Sequence, residues 1–124
     1  MRGRLPMTAG PLERYDRAAA RSSAVVIGEY STSFGLAVRL LPSGTRWHIR
    51  NVYALVRLAD EVVDGVAAAA GMPAERIAVA LDDLESSTYD AMETGYSTNL
   101  VVHAFATTAR AVGIEQAIVT PFFT

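Results

Sequence analysis

A chain of 124 residues, half of them apolar and 19% charged, is long enough for one ordinary domain and has the composition of a packed core rather than of a disordered segment. A net charge of −2 with no basic block argues against a nucleic-acid partner, and the absence of cysteine excludes disulfides and thiolate metal sites. No apolar run approaches the roughly twenty residues of a membrane span, and the opening MRGRLPMTAGP lacks a signal peptide's hydrophobic region, so a soluble, cytoplasmic protein is expected.

In chain order, residues 1–10 are rich in Gly, Pro and Arg and read as a flexible lead. Alanines and arginines then predict a helix over 12–27, with Gly28 near its end. Tyr30-Ser31-Thr32-Ser33-Phe34 interrupts the periodicity and offers N-caps, so a short helix is expected through Leu36, Leu40 and Leu41 until Pro42. Ser43-Gly44 turns the chain into a long helix over 45–66. Pro73 suits the first turn of another, with Ile77, Leu81 and Leu84 as its apolar face and Gly95 near its end. Ser97-Thr98-Asn99 supplies caps for a helix over 100–112, Gly113 ends it, and a last helical segment begins near Glu115. No stretch alternates with a two-residue period between hairpin turns, so the fold class is all-α, without an internal repeat.

The long helix carries the chemistry. Asp60 and Asp64, four apart in DEVVD, project from one face one turn apart. Two carboxylates held there repel, and a divalent cation between them relieves the repulsion. Mg²⁺ favours such a site, taking one or two carboxylates, several waters and the phosphate oxygens of a substrate; Mn²⁺ is the alternative. Arg57 and Tyr53 continue the same stripe, all four within about 60° of one another at 100° per residue. Ile49, Val52, Val56, Ala59, Val63 and Val66 form an adjacent, broader apolar arc. Two readings stand at this point: a cation and phosphate site in which Arg57 grips an anion, or a solvated face with an i,i+3 ion pair between Arg57 and Asp60.

Other residues read more plainly. His48 and His103 lack a second ligand at metal spacing and are expected to be structural or surface histidines. Asp82, Asp83 and Glu85 form a solvated acidic face. Trp47 is placed to pack on a neighbouring helix or to reach a membrane interface, so peripheral membrane contact is an expectation as well. No Glu-x-x-His pair, Walker loop or dinucleotide glycine pattern occurs.

Residues 30–65, YSTSFGLAVRLLPSGTRWHIRNVYALVRLADEVVDG, contain a Ser-x-Ser-Phe segment (Ser31, Ser33, Phe34) and a Leu-Leu-Pro turn (Leu40, Leu41, Pro42). Tyr53-Ala54, Arg57 and the Asp60/Asp64 pair follow at fixed spacing. This ordered set resembles the squalene/phytoene synthase family, with weaker similarity continuing to the C-terminus. The resemblance implies an all-α isoprenoid (terpenoid) synthase bundle and Mg²⁺-dependent head-to-head joining of two prenyl diphosphates, such as farnesyl or geranylgeranyl diphosphate, in carotenoid or related isoprenoid biosynthesis. It implies Asp60 and Asp64 as metal ligands and Arg57 as a diphosphate contact. Ser31 and Ser33 would lie beside the diphosphate, Phe34 on the prenyl pocket and Tyr53 near the reacting centre. Thr32 departs from a lysine common in the family, and Glu61 from an aspartate.

The chain stops at Pro121-Phe122-Phe123-Thr124, ahead of the family's second aspartate motif. Residues 11–124 are therefore expected to be a partial, C-terminally truncated synthase domain with little or no activity alone. The alternative from another class is a non-catalytic helical fragment that binds a partner chain through an exposed apolar patch.

Overall fold

Gly10 and Pro11 open the first helix, α1 (Pro11–Tyr30). The Glu13 carboxylate reaches back to accept the Gly10 N–H at 3.1 Å, satisfying a donor at a helix start where no carbonyl is available. The structure is a computed structural model that describes residues 10–30 and 43–123, apart from the side chains of Tyr30, Ser43 and Asp64. The short helix expected between Phe34 and Pro42 lies outside the described residues, as does the lead before Gly10.

The long helix, α2, spans Ser43–Asp64. It stops two residues earlier than the sequence suggests because Gly65 leaves the helical region at φ −145°, and a single turn, α3 (Val66–Ala69), follows. Pro73, extended, leads into α4 (Ala74–Thr94). Gly95 ends it in the left-handed region at φ 85°, where its N–H reaches the Ala91 carbonyl at 2.7 Å and a side chain would be strained. Asn99 then caps α5 (Leu100–Val112), its carbonyl oxygen accepting the N–H groups of Val101 and Val102 at 3.0 and 3.1 Å. Gly113 closes α5 as Gly95 closes α4, and α6 (Gln116–Phe123) returns along α4. Every regular element among the described residues is a helix.

The most apolar of the longer helices sits at the centre. In α5, Val101 through Ala106, Thr108 and Ala109 are all buried, because α1, α2 and α4 pack around it. A helix apolar on nearly every side has nowhere else to go. Small residues sit at these contacts: Ala19 on α1, Ala54 on α2, Ala91 on α4, and Ala104, Ala106 and Ala109 on α5 are at most 1% exposed. Without long side chains between them, the helix axes can approach closely. Ile27, Leu55, Leu84, Phe105 and Val119 fill the remaining space.

Two polar ties cross this core. Asp16 Oδ1 lies 2.6 Å from His103 Nε2, and the Ser97 N–H donates to His103 Nδ1 at 3.1 Å. Nδ1 is thus the acceptor, which leaves the proton on Nε2 for Asp16. Tyr15 stacks edge-on against the same imidazole and donates its hydroxyl to the Ser97 carbonyl at 2.6 Å. On the other side of α5, Thr108 Oγ1 accepts from Asn51 Nδ2 and lies within reach of His48 Nδ1, both at 2.9 Å. Both histidines are structural ties, as expected.

The core-facing side of α2 differs from the expected apolar arc. Of that set only Ala59 is buried; Val52 packs at the edge of the core, Ile49 and Val56 are half-buried, and Val63 and Val66 are exposed. Asn51, Ala54 and Leu55 are the buried residues, with Leu58 beside them. The helix has two apolar arcs, and contact with α5 selects the one that also holds Asn51.

Candidate active site

Opposite the buried arc of α2 lies the polar stripe. Tyr53 and Arg57 are half-buried, Asp60 is exposed, and Asp64 is the last residue of the helix. At about 1.5 Å rise per residue the two aspartate Cα atoms are roughly 6 Å apart along the axis. Arg57 Nη2 binds Glu61 Oε2 at 2.7 Å, an i,i+4 pair, rather than Asp60. Glu61 is held over the helix end, where a side chain at position 65 would put its Cβ 2.8 Å from the Glu61 carboxylate; Gly65 leaves that space. The exposed Asp60 carboxylate has no partner among the described residues.

Beside the stripe runs an apolar groove made of two joined hollows. One, about 390 Å³, is lined by His48, Ile49, Val52, Tyr53, Val56, Thr108, Val112 and Ile114. The second, about 230 Å³, continues from Val52, Val56 and Ile114 past Leu55 and Phe105 to Ile118, Val119 and Phe122. The second apolar arc of α2, most of it outside the core, is one wall; α5, α6 and their connection form the other. Tyr53 belongs to both features, since it lines the groove and starts the polar stripe. Val56 lines both hollows. A further hollow, about 540 Å³, lies elsewhere, between α1 and the start of α2.

The donor set fits a hard divalent cation only in part by itself. Among the described residues no three carboxylate or imidazole groups converge on a metal-sized position. Two carboxylates on one helix face are nonetheless what Mg²⁺ takes from a protein when phosphate oxygens and water complete the octahedron. Ser31, Ser33 and Phe34, the other expected contacts, lie outside the described residues.

Sequence reasoning missed Asn51, Thr108 and Asp16, which brace the helices behind the site. The signals were available: Asn51 interrupts an apolar arc of α2, and Thr107-Thr108 interrupts the apolar run of α5. Asp82, Asp83 and Glu85 stand apart from the site; the two aspartates are exposed and Glu85 accepts from the Tyr89 hydroxyl at 2.6 Å.

An all-helical bundle carrying such a motif on its long helix is of the isoprenoid synthase class. The family model described as Squalene/phytoene synthase matches residues 27–123, and the chain belongs to that family. The family is one of head-to-head isoprenoid synthases, transferases of prenyl groups. Comparison with curated proteins and with solved structures returns no match. Among the described residues no helix is long and apolar enough to cross a membrane.

Proposed function

We propose that this site binds a prenyl diphosphate with Mg²⁺ and serves the head-to-head condensation of two such substrates, of the phytoene or squalene synthase type, in carotenoid or related biosynthesis. The observation that carries the reading is the position of Tyr53, at the junction of a carboxylate–guanidinium stripe and an apolar groove. A prenyl diphosphate has the matching polarity: a highly charged head joined to a hydrocarbon tail.

Asp60 and Asp64 would hold the cation, and Mn²⁺ has the same ligand preference. When bound, the cation neutralises the diphosphate and makes it a better leaving group. Arg57 adds a planar cation matched to phosphate oxygens, and Glu61 fixes its orientation from one turn away. Ser31 and Ser33 are proposed hydroxyl donors to the same head, and Phe34 a wall of the tail pocket. Val52, Val56, Ile114 and Phe105 keep the groove dry, which matters because water would trap an allylic cation. Tyr53, which lines the groove beside the polar stripe, would stabilise a developing positive charge there through its aromatic ring without acting as a nucleophile.

Calorimetric titration with pyrophosphate tests the reading. The wild-type chain should bind pyrophosphate more tightly with Mg²⁺ than with a chelator. In Asp60→Ala/Asp64→Ala that difference should vanish. Equal binding by both chains would refute the metal assignment and favour a non-catalytic helical protein. Farnesyl and geranylgeranyl diphosphate, titrated in turn, report which tail the groove prefers.

A further inference from the structure

The groove beside Tyr53 is covered on one side only. Leu55, Phe105, Thr108 and Val119 form a buried floor, but the rim is open: Val112 is 53% exposed, Ile118 66% and Phe122 40%. The head end is open as well, since Asp60 is exposed and Val63, nearly one turn on, is 51% exposed. A hydrocarbon tail laid here is dry where it meets the floor and wet on its far side. The hollows of about 390 and 230 Å³ also suit one tail rather than two, because a single drug-sized ligand takes roughly 300–1,000 Å³.

An allylic cation formed at the head of such a tail meets few nucleophiles from the groove itself. Thr108 Oγ1 and His48 Nδ1, both on its lining, lie 2.9 Å apart and bind each other, and Thr108 also accepts from Asn51. The other lining residues, Tyr53 aside, end in aliphatic or phenyl groups. Water at the open head end is the nucleophile at hand. Closing a site over a reactive intermediate is what ordinarily prevents its hydrolysis, and the exposures on this rim leave that protection incomplete.

We infer that the site passes this cation to water, converting an allylic prenyl diphosphate into a prenyl alcohol and pyrophosphate. The inference rests on the proposed binding of a prenyl diphosphate with Mg²⁺ and names what that site releases. The bond between C1 and the bridging oxygen breaks, and its electron pair leaves with pyrophosphate. A water lone pair forms the new carbon–oxygen bond at C1 or C3, the two ends of the allylic cation, and the spare proton passes to solvent. No oxidant, reductant or second prenyl chain is consumed. Arg57, matched to phosphate oxygens, holds the departing pyrophosphate, and the ring of Tyr53 stabilises the cation until water adds.

The full chain should be incubated with farnesyl diphosphate and Mg²⁺ in heavy-oxygen water, with pyrophosphate calorimetry on the same preparation. Mass spectrometry should find the label in farnesol or its tertiary isomer and none in pyrophosphate, because the carbon–oxygen bond is the one broken. In Asp60→Asn/Asp64→Asn the rate should fall about 100-fold with circular dichroism unchanged. Four results would overturn the inference: label in the phosphate, alcohol formed as fast by that variant, substrate recovered intact, or a coupled hydrocarbon of twice the chain length as the main product. With Mg²⁺-dependent pyrophosphate binding intact, each of these leaves the proposed binding site standing. Absence of that binding in the wild-type chain would instead sink the underlying reading, and the inference with it.

Discussion

Glu61 and Arg57 hold each other one turn apart at the edge of the site, with side chains 20% and 32% exposed. A pair this wet contributes at most about 1 kcal/mol to folding, so its importance is local. Glu61 competes with any incoming phosphate for the guanidinium and adds a negative charge beside it. Glu61→Gln should therefore tighten pyrophosphate binding severalfold while moving the urea midpoint very little; calorimetry and a urea titration read the two quantities. Weaker binding in this variant would mean that orienting Arg57 outweighs the competition.

At the level of elements, burial ranks the residues of α2 in a way their hydrophobicity does not. Leu55 is 2% exposed in the core and Val63 is 51% exposed. Leu55→Ala should cost about 3 kcal/mol, the usual range for a buried leucine, whereas Val63→Ala should stay within about 0.5 kcal/mol; urea unfolding compares them. Two tyrosines join elements through their hydroxyls. Tyr15 links α1 to the segment before α5, and Tyr89 links α4 to α6 through Thr120. Burial raises both above the ordinary tyrosine value of 10.0, with Tyr96 beside Tyr15 and the Glu85 carboxylate beside Tyr89 adding to the effect. A phenol whose folded value is raised contributes its stability in full below the unfolded value and loses it as pH climbs through the folded one. The urea midpoint should therefore fall above about pH 10, and fall less in Tyr15→Phe/Tyr89→Phe.

Across the whole molecule, α5 is the hub and its polar ties decide how the outer helices are seated. His103 is fully buried, and the Asp16 carboxylate on α1 accepts a hydrogen bond from its Nε2–H. Asp16→Ala would strand that donor in the core, at a cost of about 1–3 kcal/mol. Asp16→Asn, whose carbonyl oxygen still accepts, should recover most of the loss. Thermal unfolding of the two variants separates hydrogen bonding from charge. The apolar groove is a feature of this scale as well, since its walls come from α2, α5 and α6 together.

What the sequence determined alone follows from local rules. Pro73, Gly95, Asn99 and Gly113 fix where α4 and α5 begin and end, because each meets or blocks a hydrogen-bonding need within one turn of itself. The common face of Tyr53, Arg57, Asp60 and Asp64 is likewise fixed by helical pitch, and the family motif was legible with it. Tertiary structure decided which apolar arc of α2 enters the core and which is left to line the groove. It decided that Asp16 meets His103 from 87 residues away. Those outcomes depend on which surfaces remain for burial once α5 is enclosed by its neighbours, a competition among distant segments that no local spacing encodes.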